Sequence, residues 1–281
     1  MKDDRLKPFK VGVLGAGGRM GREICRAVAA DGELDLVAAV DPRFAGIDLH
    51  QVAGQGVPAI DVAPDLDALA MASVDVAIDF SLPDATEQAM PWCAEHGVHM
   101  VIGTTGIEDA RMDEARKLFG RKSGPNCIVA SNFAVGAVLM ARFVEMAARF
   151  MDGGEVIEIH HDGKVDAPSG TSLVLMEAIA SGAEARSGEG GGAAFGRDAT
   201  ERYVLEGTRG GVGRSGVRVH SLRIPGMVAH HEAVFGAVGQ ALTIRHDAFD
   251  RTSFLPGVLL AVKAVASTPG LTLGLESILG L

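Results

Sequence analysis

The chain has 281 residues and carries 26 Lys and Arg against 36 Asp and Glu, which gives a formal net charge of −10. This acidic balance argues against a nucleic-acid partner, because binding to a phosphate backbone normally needs clustered cations. Hydrophobic residues make up 47% of the chain, as a globular protein requires, while aromatic residues make up 5%, too few for a surface that stacks bases or sugars.

Three cysteines, Cys25, Cys93 and Cys127, stand far apart in apolar stretches. They lack the paired spacing of a zinc site or a disulfide framework. The N-terminal segment is polar, and no apolar run approaches the roughly 20 residues that span a bilayer. We therefore expect a cytoplasmic protein with reduced thiols, no membrane partner and no metal.

The first half of the chain alternates between strand and helix patterns. Short apolar runs predict strands over 9–14, 34–40, 74–80, 98–102 and 127–130. Helical spacing predicts helices over 22–30, 83–96 and 107–119 between them. Strands joined by helices are typical of a doubly wound parallel sheet, which binds its ligands beyond the carboxyl ends of the strands.

The pattern changes after residue 133. The remaining predicted elements are helices over 135–150, 170–181 and 254–266 and strands over 155–160, 217–223 and 240–246. Residues 181–216 are rich in Gly, Ser and Arg and predict a long mobile loop. The last helix is apolar enough to pack on a sheet, so we expect the chain to return to its first domain. These features predict an α/β protein with one domain formed by residues 1–133 and 247–281 and a second formed by 134–246.

A glycine-rich turn, GAGGRMG at 15–21, joins the first predicted strand to the first helix. Gly15, Gly18 and Gly21 let the backbone approach a pyrophosphate, whose charge is stabilised by the free N–H groups at the helix start. Asp41 ends the second strand, where a carboxylate can accept hydrogen bonds from an adenosine ribose. The combination predicts a dinucleotide site, the alternative being a turn of purely structural use. A Walker A loop is excluded, since Gly-Lys-Ser/Thr is absent.

The choice of dinucleotide depends on the residues around Asp41. Its carboxylate favours NADH because it repels the 2′-phosphate of NADPH, and Arg43, two residues on, can relieve that repulsion. We therefore expect NADH, NADPH or both as cofactor. Arg19, within the turn, either reaches a cofactor phosphate or stays in solvent.

The segment IHHDGKVDAPSGTS at 159–172 combines groups that suit an anionic substrate. Lys164 supplies a cation, and Gly170 and Thr171 begin a helix whose N–H groups can bind a carboxylate. His160 and His161 point to opposite faces of their strand, so we expect at most one of them to act as proton donor. A polar strand end without function is the alternative for the histidine pair taken alone.

Four segments in order carry a resemblance to a known family: VGVLGAGGRMGRE from residue 11, VIGTTG at 101–106, ASNFAVG at 130–136, and the HH…KVDAPSGT block. The sequence resembles the 4-hydroxy-tetrahydrodipicolinate reductase family, also called dihydrodipicolinate reductase, of the diaminopimelate and lysine pathway. The resemblance runs nearly end to end. It implies a Rossmann dinucleotide-binding domain plus an inserted α+β domain that binds substrate and forms a homotetramer. The chain departs from the family at Asp162-Gly163, where members often carry a basic or polar pair.

The same resemblance implies a reaction and a set of roles. The substrate would be a cyclic imine with two carboxylates, reduced with loss of water by hydride from NADH or NADPH. His160 would be the proton donor/acceptor and Lys164 a second donor. The dicarboxylate would be bound by His161, Gly170 and Thr171. The implied cofactor-binding residues are Gly15, Ala16, Gly17, Gly18, Arg19, Met20, Asp41, Gly103, Thr104, Thr105, Ala130, Ser131, Asn132 and Phe133.

Other readings of these motifs stay open at this point. A different NAD(P)-dependent two-domain dehydrogenase, acting on a semialdehyde, would need a cysteine nucleophile, and Cys127 has no obvious base beside it. A non-enzymatic dinucleotide sensor would have no use for Lys164. His231 begins an HExxH zinc pattern, but Phe235 stands in place of the second histidine. Arg223 and His231 are further candidates to reach the second carboxylate.

Overall fold

The computed structural model describes residues 8–120, 124–187, 195 and 198–281. The chain forms two compact units: a first unit of Met1–Phe133 with Phe254–Leu281, and an inserted unit of Ala134–Ser253. The return to the first unit comes later than the expected residue 247. The reason is that the last strand of the inserted unit continues to Ala248 and stays paired to its neighbour along its length.

The first unit contains a six-stranded sheet whose paired strands are all parallel. Its strands are β1 (Phe9–Leu14), β2 (Leu34–Val40), β3 (Val76–Asp79), β4 (His99–Ile102), β5 (Cys127–Val129) and β11 (Leu271–Leu273), in the order β11-β5-β4-β3-β1-β2. The strands are short apolar runs because helices cover the sheet. From β1 the chain goes first to β2 and then to the other side at β3. This reversal makes the carboxyl ends of β1 and β3 the expected ligand-binding crevice.

The helices of the first unit are α1 (Arg19–Ala30), α2 (Leu49–Ala53), α3 (Asp67–Met71), α4 (Pro83–His96), α5 (Asp109–Phe119) and α8 (Leu255–Val265). The predicted strands and helices of the first half are confirmed, with ends displaced by a few residues. In this unit the sequence pattern does not predict α2, α3 or β11, because elements of three to five residues carry too little periodicity to be recognised.

The inserted unit is a five-stranded mixed sheet against which two helices pack. The strands are β6 (Gly153–His160), β7 (Gly211–Val212), β8 (Arg218–Arg223), β9 (Ala229–Ala237) and β10 (Gln240–Ala248), in the order β10-β9-β6-β8-β7. The central strand β6 is parallel to β8 and antiparallel to β9. The helices α6 (Val135–Ala148) and α7 (Gly170–Ser187) share a buried apolar core with the sheet.

The loop predicted over 181–216 is wrong at its beginning, because α7 continues to Ser187. Gly182 does not end this helix. It lies where α7 packs closely on α6, and a Cβ there would collide with the carbonyl oxygen of Glu145. Residues 188–194 and 196–197 of the predicted loop lie outside the described residues. Across the described helices, none combines the length and the apolar character needed to cross a membrane.

Candidate active site

The glycine-rich turn lies between the carboxyl end of β1 and the start of α1. Gly15 has a φ of +75°, a left-handed conformation that favours glycine. A Cβ at Gly21 would collide with the carbonyl oxygen of Gly15. Gly18 precedes α1 and has no side chain to cap it, so the N–H groups at this helix start are open to an anion. Arg19 and Met20 form the first turn of α1 and Ala16 is buried.

The carboxylate of Asp41 is fixed beside this turn at the end of β2. Its Oδ2 accepts a hydrogen bond from the backbone N–H of Gly17 at 3.1 Å, and its Oδ1 accepts one from Arg43 N–H at 3.1 Å. Gly17 packs so closely that a Cβ there would collide with the ring of Phe44. The structure therefore brings together the glycine turn and the acidic residue that the sequence singled out.

Two arginines flank this carboxylate. The guanidinium groups of Arg22 and Arg43 lie 5.3 and 5.8 Å from the centroid of the Phe44 ring. The Arg43 side chain is 75% exposed, with its Nε 3.6 Å from Oδ1 of Asp41, so it is free to turn toward an added phosphate. These groups line a cleft of about 1130 Å³, and Arg19 lines it as well.

The ends of β3 and β4 are linked through Asp79, a residue that sequence analysis missed. Its fully buried carboxylate accepts hydrogen bonds from the N–H and hydroxyl of Ser81 at 2.9 and 2.6 Å and from the Thr104 hydroxyl at 3.3 Å. Burial raises the pKa of this carboxyl above its ordinary value, although the bonds from Ser81 and Thr104 oppose the shift. Its position at the carboxyl end of a predicted strand was the available signal. Asp79 thus fixes Thr104, whereas Thr105 is exposed.

The loop after β5 completes this edge of the sheet. Ala130 N–H donates to the Ile102 carbonyl at 3.0 Å, and the buried Phe133 ring lies 5.5 Å from that of Phe80. Phe80 also fills the space beside Gly103, where a Cβ would collide with its ring. Ser131 lines a second cleft, of about 560 Å³, together with Thr104 and Thr105, and Asn132 lies in the same loop. All predicted cofactor residues thus follow the carboxyl ends of β1, β2, β4 or β5.

In the inserted unit, His160 ends β6 and is buried beside Glu158. Nδ1 of His160 faces Oε2 of Glu158, whose side chain is 0% exposed. Arg223, at the end of β8, donates from Nη2 to the other oxygen of Glu158 at 2.9 Å. The His160 ring meets the ring of His231 edge to face at 5.2 Å between centroids. Glu158 was also missed by sequence analysis; it stands two residues before His160, on the same face of the strand.

The charges around His160 set its protonation. Burial lowers the pKa of His160 below its ordinary value, the Glu158 carboxylate raises it, and the cations Lys164 and Arg223 lower it. Burial would raise the pKa of Glu158, but hydrogen bonds from Ser221 and Arg223 and the nearby His160 hold it below its usual value. Around neutral pH, Glu158 is therefore ionised and His160 is mostly neutral.

Lys164 lies on the turn that follows β6. Its Nζ donates to both carboxylate oxygens of Asp166 at 2.8 and 2.9 Å. Arg223 stabilises this turn, because its guanidinium donates hydrogen bonds to the carbonyl of Asp166 at 2.6 Å and to the carbonyl of Lys164 at 3.4 Å. Arg223, considered above as a carboxylate ligand, is thus engaged with Glu158 and the turn.

The next segment brings a buried serine to the start of α7. The Ser169 hydroxyl accepts from Ser172 N–H at 3.2 Å and lies 3.1 Å from Nε2 of His231. Burial lowers the pKa of His231 to about 4, and the neighbouring His160 adds to the shift. Gly170 opens the helix, and the space where its Cβ would lie is empty within 4 Å of any described atom. Thr171 follows it on the helix, and His161 is exposed.

The structure also bears on the other readings of the motifs. Burial raises the pKa of Cys25 and Cys93 to about 12 and that of Cys127 well above its ordinary value, so none of these thiols is an activated nucleophile. His231 lies on strand β9 rather than on the helix that an HExxH site requires. Glu158, His160 and His231 do place one ligating atom each within 4.8 Å of one another. The guanidinium of Arg223 is bonded to the other oxygen of Glu158, and its positive charge opposes the binding of a metal cation to the same carboxylate.

Two family models match consecutive parts of the chain. The model for dihydrodipicolinate reductase, N-terminus, covers residues 9–133, and the model for dihydrodipicolinate reductase, C-terminus, covers residues 136–279. The 4-hydroxy-tetrahydrodipicolinate reductase of Nocardia farcinica is 44% identical, over 97% of this chain and 99% of that protein. The enzyme of the same name from Thermobifida fusca is 46% identical, over 97% of this chain and 100% of that protein.

Solved structures give the same result. Dipicolinate-bound dihydrodipicolinate reductase from Paenisporosarcina sp. TG-14 matches with a TM-score of 0.81 at 35% identity, covering 96% of this chain and 99% of that one. An amine dehydrogenase from Mycobacterium smegmatis, at a TM-score of 0.59 and 15% identity over 95% of each chain, shares the fold alone. Since the two family models together take in nearly all of the sequence, the chain belongs to the dihydrodipicolinate reductase family.

Proposed function

We propose that the protein reduces 4-hydroxy-tetrahydrodipicolinate to tetrahydrodipicolinate with NADH or NADPH, releasing one water, in the route to diaminopimelate and lysine. Family membership supports this reaction. The solved relative with dipicolinate bound supports a small ring with two carboxylates as the ligand. The observation that carries the proposal is the run from His160 to Thr171, which combines a buried imidazole, an ammonium group and a helix start with open space beside Gly170.

The first unit is the proposed dinucleotide-binding domain. Residues 15–20 would hold the pyrophosphate at the start of α1, and Asp41 would accept hydrogen bonds from the adenosine ribose. Residues 103–105 and 130–133 would lie beside the nicotinamide. The hydrogen bond from Gly17 N–H to Asp41 supports this assignment, because it holds the acidic side chain beside the glycine-rich turn, as the dinucleotide site requires. The bound cofactor supplies the hydride.

The protein residues supply the proton. Loss of the substrate hydroxyl as water leaves a conjugated imine, and addition of hydride to ring C4 leaves an enamine that must take up a proton. His160 is the proposed donor and Lys164 a second one, a contribution of roughly 10²- to 10⁴-fold to rate. The lowered pKa of His160 in the free protein rises when a dicarboxylate binds beside it, because a nearby anion favours the imidazolium. Substrate binding is therefore coupled to proton uptake.

The carboxylates of the substrate would be bound by His161, Gly170 and Thr171. The helix start at Gly170 offers N–H groups and the positive end of the α7 dipole. Lys164 adds a full positive charge to the same region. Asp162 brings a carboxylate close to this anion site, which would lower its affinity.

We further propose that the inserted unit carries out both substrate binding and assembly into a homotetramer in the cytoplasm. The family resemblance supports this assembly. Sedimentation equilibrium should give about four times the mass of the 29.1 kDa chain. A mass of one chain at micromolar concentration would contradict the tetramer.

The test of the reaction is a coupled assay in which a synthase generates the substrate and loss of nicotinamide absorbance is recorded with NADH or NADPH. We expect His160→Gln and Lys164→Ala each to lower kcat by roughly 10²-fold or more, with unchanged unfolding midpoints. The exposed residues His96 and Lys117 provide matched controls, and H96Q and K117A should retain wild-type turnover. Cofactor binding without turnover would instead favour a dinucleotide sensor. Wild-type turnover in both site variants would contradict the assigned roles.

A further inference from the structure

Glu158 has no role in the chemistry derived so far, yet it lies directly against the proposed proton donor. It occupies the alternate position to His160 on β6, and the two side chains are 0% and 9% exposed. Oε2 of Glu158 and Nδ1 of His160 are buried, and neither makes a hydrogen bond of regular geometry to any described residue. The two atoms lie in ion-pair contact with each other.

Burying an ionised carboxylate is costly unless its charge is compensated. Arg223 compensates the charge through the other oxygen, Oε1, at 2.9 Å. An ion pair with a purely structural role needs only this bond. Arg223 also donates hydrogen bonds to the turn that carries Lys164. Oε2 is left to face the imidazole. A carboxylate oxygen that contacts one ring nitrogen of a histidine orients the imidazole, so that the other ring nitrogen is available for acid–base chemistry.

The titratable groups that face His160 come from the neighbouring strands and from the turn after β6. Glu158 lies on the same strand, Arg223 on β8, His231 on β9 and Lys164 on the turn after β6. Glu158 provides the negative charge in this group. Its carboxylate raises the pKa of His160 and so favours the imidazolium, whereas the cations Lys164 and Arg223 lower that pKa.

We propose that Glu158 is a positioning residue for His160: its carboxylate accepts the Nδ1–H bond, fixes the tautomer and the ring, and leaves Nε2 to transfer the proton. The proton passes between Nε2 and the substrate carbon, and the carboxylate stays ionised throughout. Its negative charge stabilises the imidazolium, so it also sets the pH at which His160 carries its proton.

Glu155 provides a matched control on the same strand. Its carboxylate is bonded to Arg209 and, at 2.7 Å, to Nε2 of His220, so it repeats the Arg–Glu–His arrangement away from His160. Replacing either carboxylate by an amide removes one charge from one such cluster in the same sheet. Glu158 is 0% exposed and Glu155 34% exposed, so the unfolding midpoint of each variant is measured as well. A positioning effect changes kcat and the pH profile in Glu158→Gln beyond what its loss of stability explains, and it is absent in Glu155→Gln.

The activity measurement rests on the proposed function. We expect Glu158→Gln to lower kcat by about 10- to 100-fold, which is part of the acid–base contribution. The KM for the substrate should change less than about twofold, because Glu158 is not among the residues proposed to bind the substrate carboxylates. The limb in which activity falls with rising pH should move to lower pH, since the group that raises the pKa of His160 is gone. Glu155→Gln should leave kcat and this limb unchanged. Equal kcat and equal pH profiles in the two variants would overturn the proposal.

A second measurement does not need turnover. In protein labelled with ¹⁵N-histidine, the ring shifts of His160, assigned from their loss in His160→Gln, report which nitrogen carries the proton. We expect the Nδ1–H form in wild type and in Glu155→Gln, and a mixture of tautomers in Glu158→Gln. A wild-type Nε2–H form, or the same tautomer in all three proteins, would overturn positioning even if the reaction is confirmed. Should wild type fail to turn over the substrate, the reaction is refuted and the ring shifts still decide the role of Glu158.

Discussion

At the scale of single residues, His231 is a neutral imidazole buried against His160 and Ser169. Its pKa of about 4 lies below the ordinary value of 6.5. As pH falls from 6.5 toward 4, His231 takes up a proton in the unfolded chain but stays neutral in the folded chain. The free energy of unfolding therefore decreases across this window, by up to about 3 kcal/mol. Above pH 6.5 the group contributes no pH dependence.

Denaturant unfolding at a series of pH values tests this expectation. The free energy of unfolding of wild type should fall more steeply between pH 6.5 and 4 than that of His231→Gln. His96→Gln, which replaces an exposed histidine, should follow wild type. Parallel curves for wild type and His231→Gln would show that burial does not suppress protonation of His231.

We expect two side chains to decide the preference between NADH and NADPH. Asp41 is buried and bonded to the turn, whereas Arg43 is exposed. We expect Arg43→Ala to raise KM for NADPH by roughly tenfold, the loss of one charged contact, and to change KM for NADH little. Asp41→Asn should shift the ratio of the two KM values in the opposite direction. Steady-state kinetics with each cofactor measures both, with Lys117→Ala as the control for a lost surface cation. An unchanged ratio in both variants would remove the pair from the cofactor site.

Candidate site residues that lie in continuous motifs can be predicted from the sequence more readily than those that act across the fold. His160, Lys164 and Gly170 occur within one segment whose chemistry can be read along the chain. Glu158 and Asp79 carry their signal in strand geometry: one is two positions from a histidine and the other ends a strand. The role of each of these two carboxylates depends on the side chains that it contacts in the folded protein, and the amino-acid composition does not show those contacts.

At the scale of secondary structure elements, boundaries were predictable where the chain carries its own start and stop residues. Helix α4 begins at Pro83 and is followed by Gly97 in a left-handed conformation, and both of its predicted ends are confirmed. The predicted end of helix α7, at residue 181, is too early, because Gly182 and its polar neighbours are typical of a loop. The packing of two helices at that glycine cannot be seen without the partner helix.

The strand–turn–helix element β1–α1 provides a test of how tightly the cofactor turn is built. We expect Gly21→Ala to destabilise the protein by about 1–3 kcal/mol, the cost of overpacking, and to weaken the stabilisation by NADH, because the new methyl group displaces the carbonyl of Gly15. Gly32→Ala has open space around it and should change stability by less than about 0.5 kcal/mol. Thermal unfolding with and without NADH measures both effects. Equal behaviour of the two variants would show that the turn can rearrange around a side chain.

At the scale of the whole molecule, the net charge of −10 coexists with two anionic ligands. We expect binding to depend on local groups rather than on the total charge, and the proposed groups are two helix starts, Lys164 and the arginines near Asp41. The acidic surface argues against polyanions, which need many cations at once. Small anions need only the few groups that the fold collects at the ends of its strands.

The division of the first unit between the two ends of the chain has a consequence for biosynthesis. The inserted unit ends at Ser253, so all of its residues have been synthesised before α8 and β11 leave the ribosome. The six-stranded sheet lacks its edge strand until the last residues emerge, because β11 pairs with β5. Folding during translation therefore completes the inserted unit first and the first unit last. A chain that stops short of residue 271 would retain a whole inserted unit and an unfinished first unit.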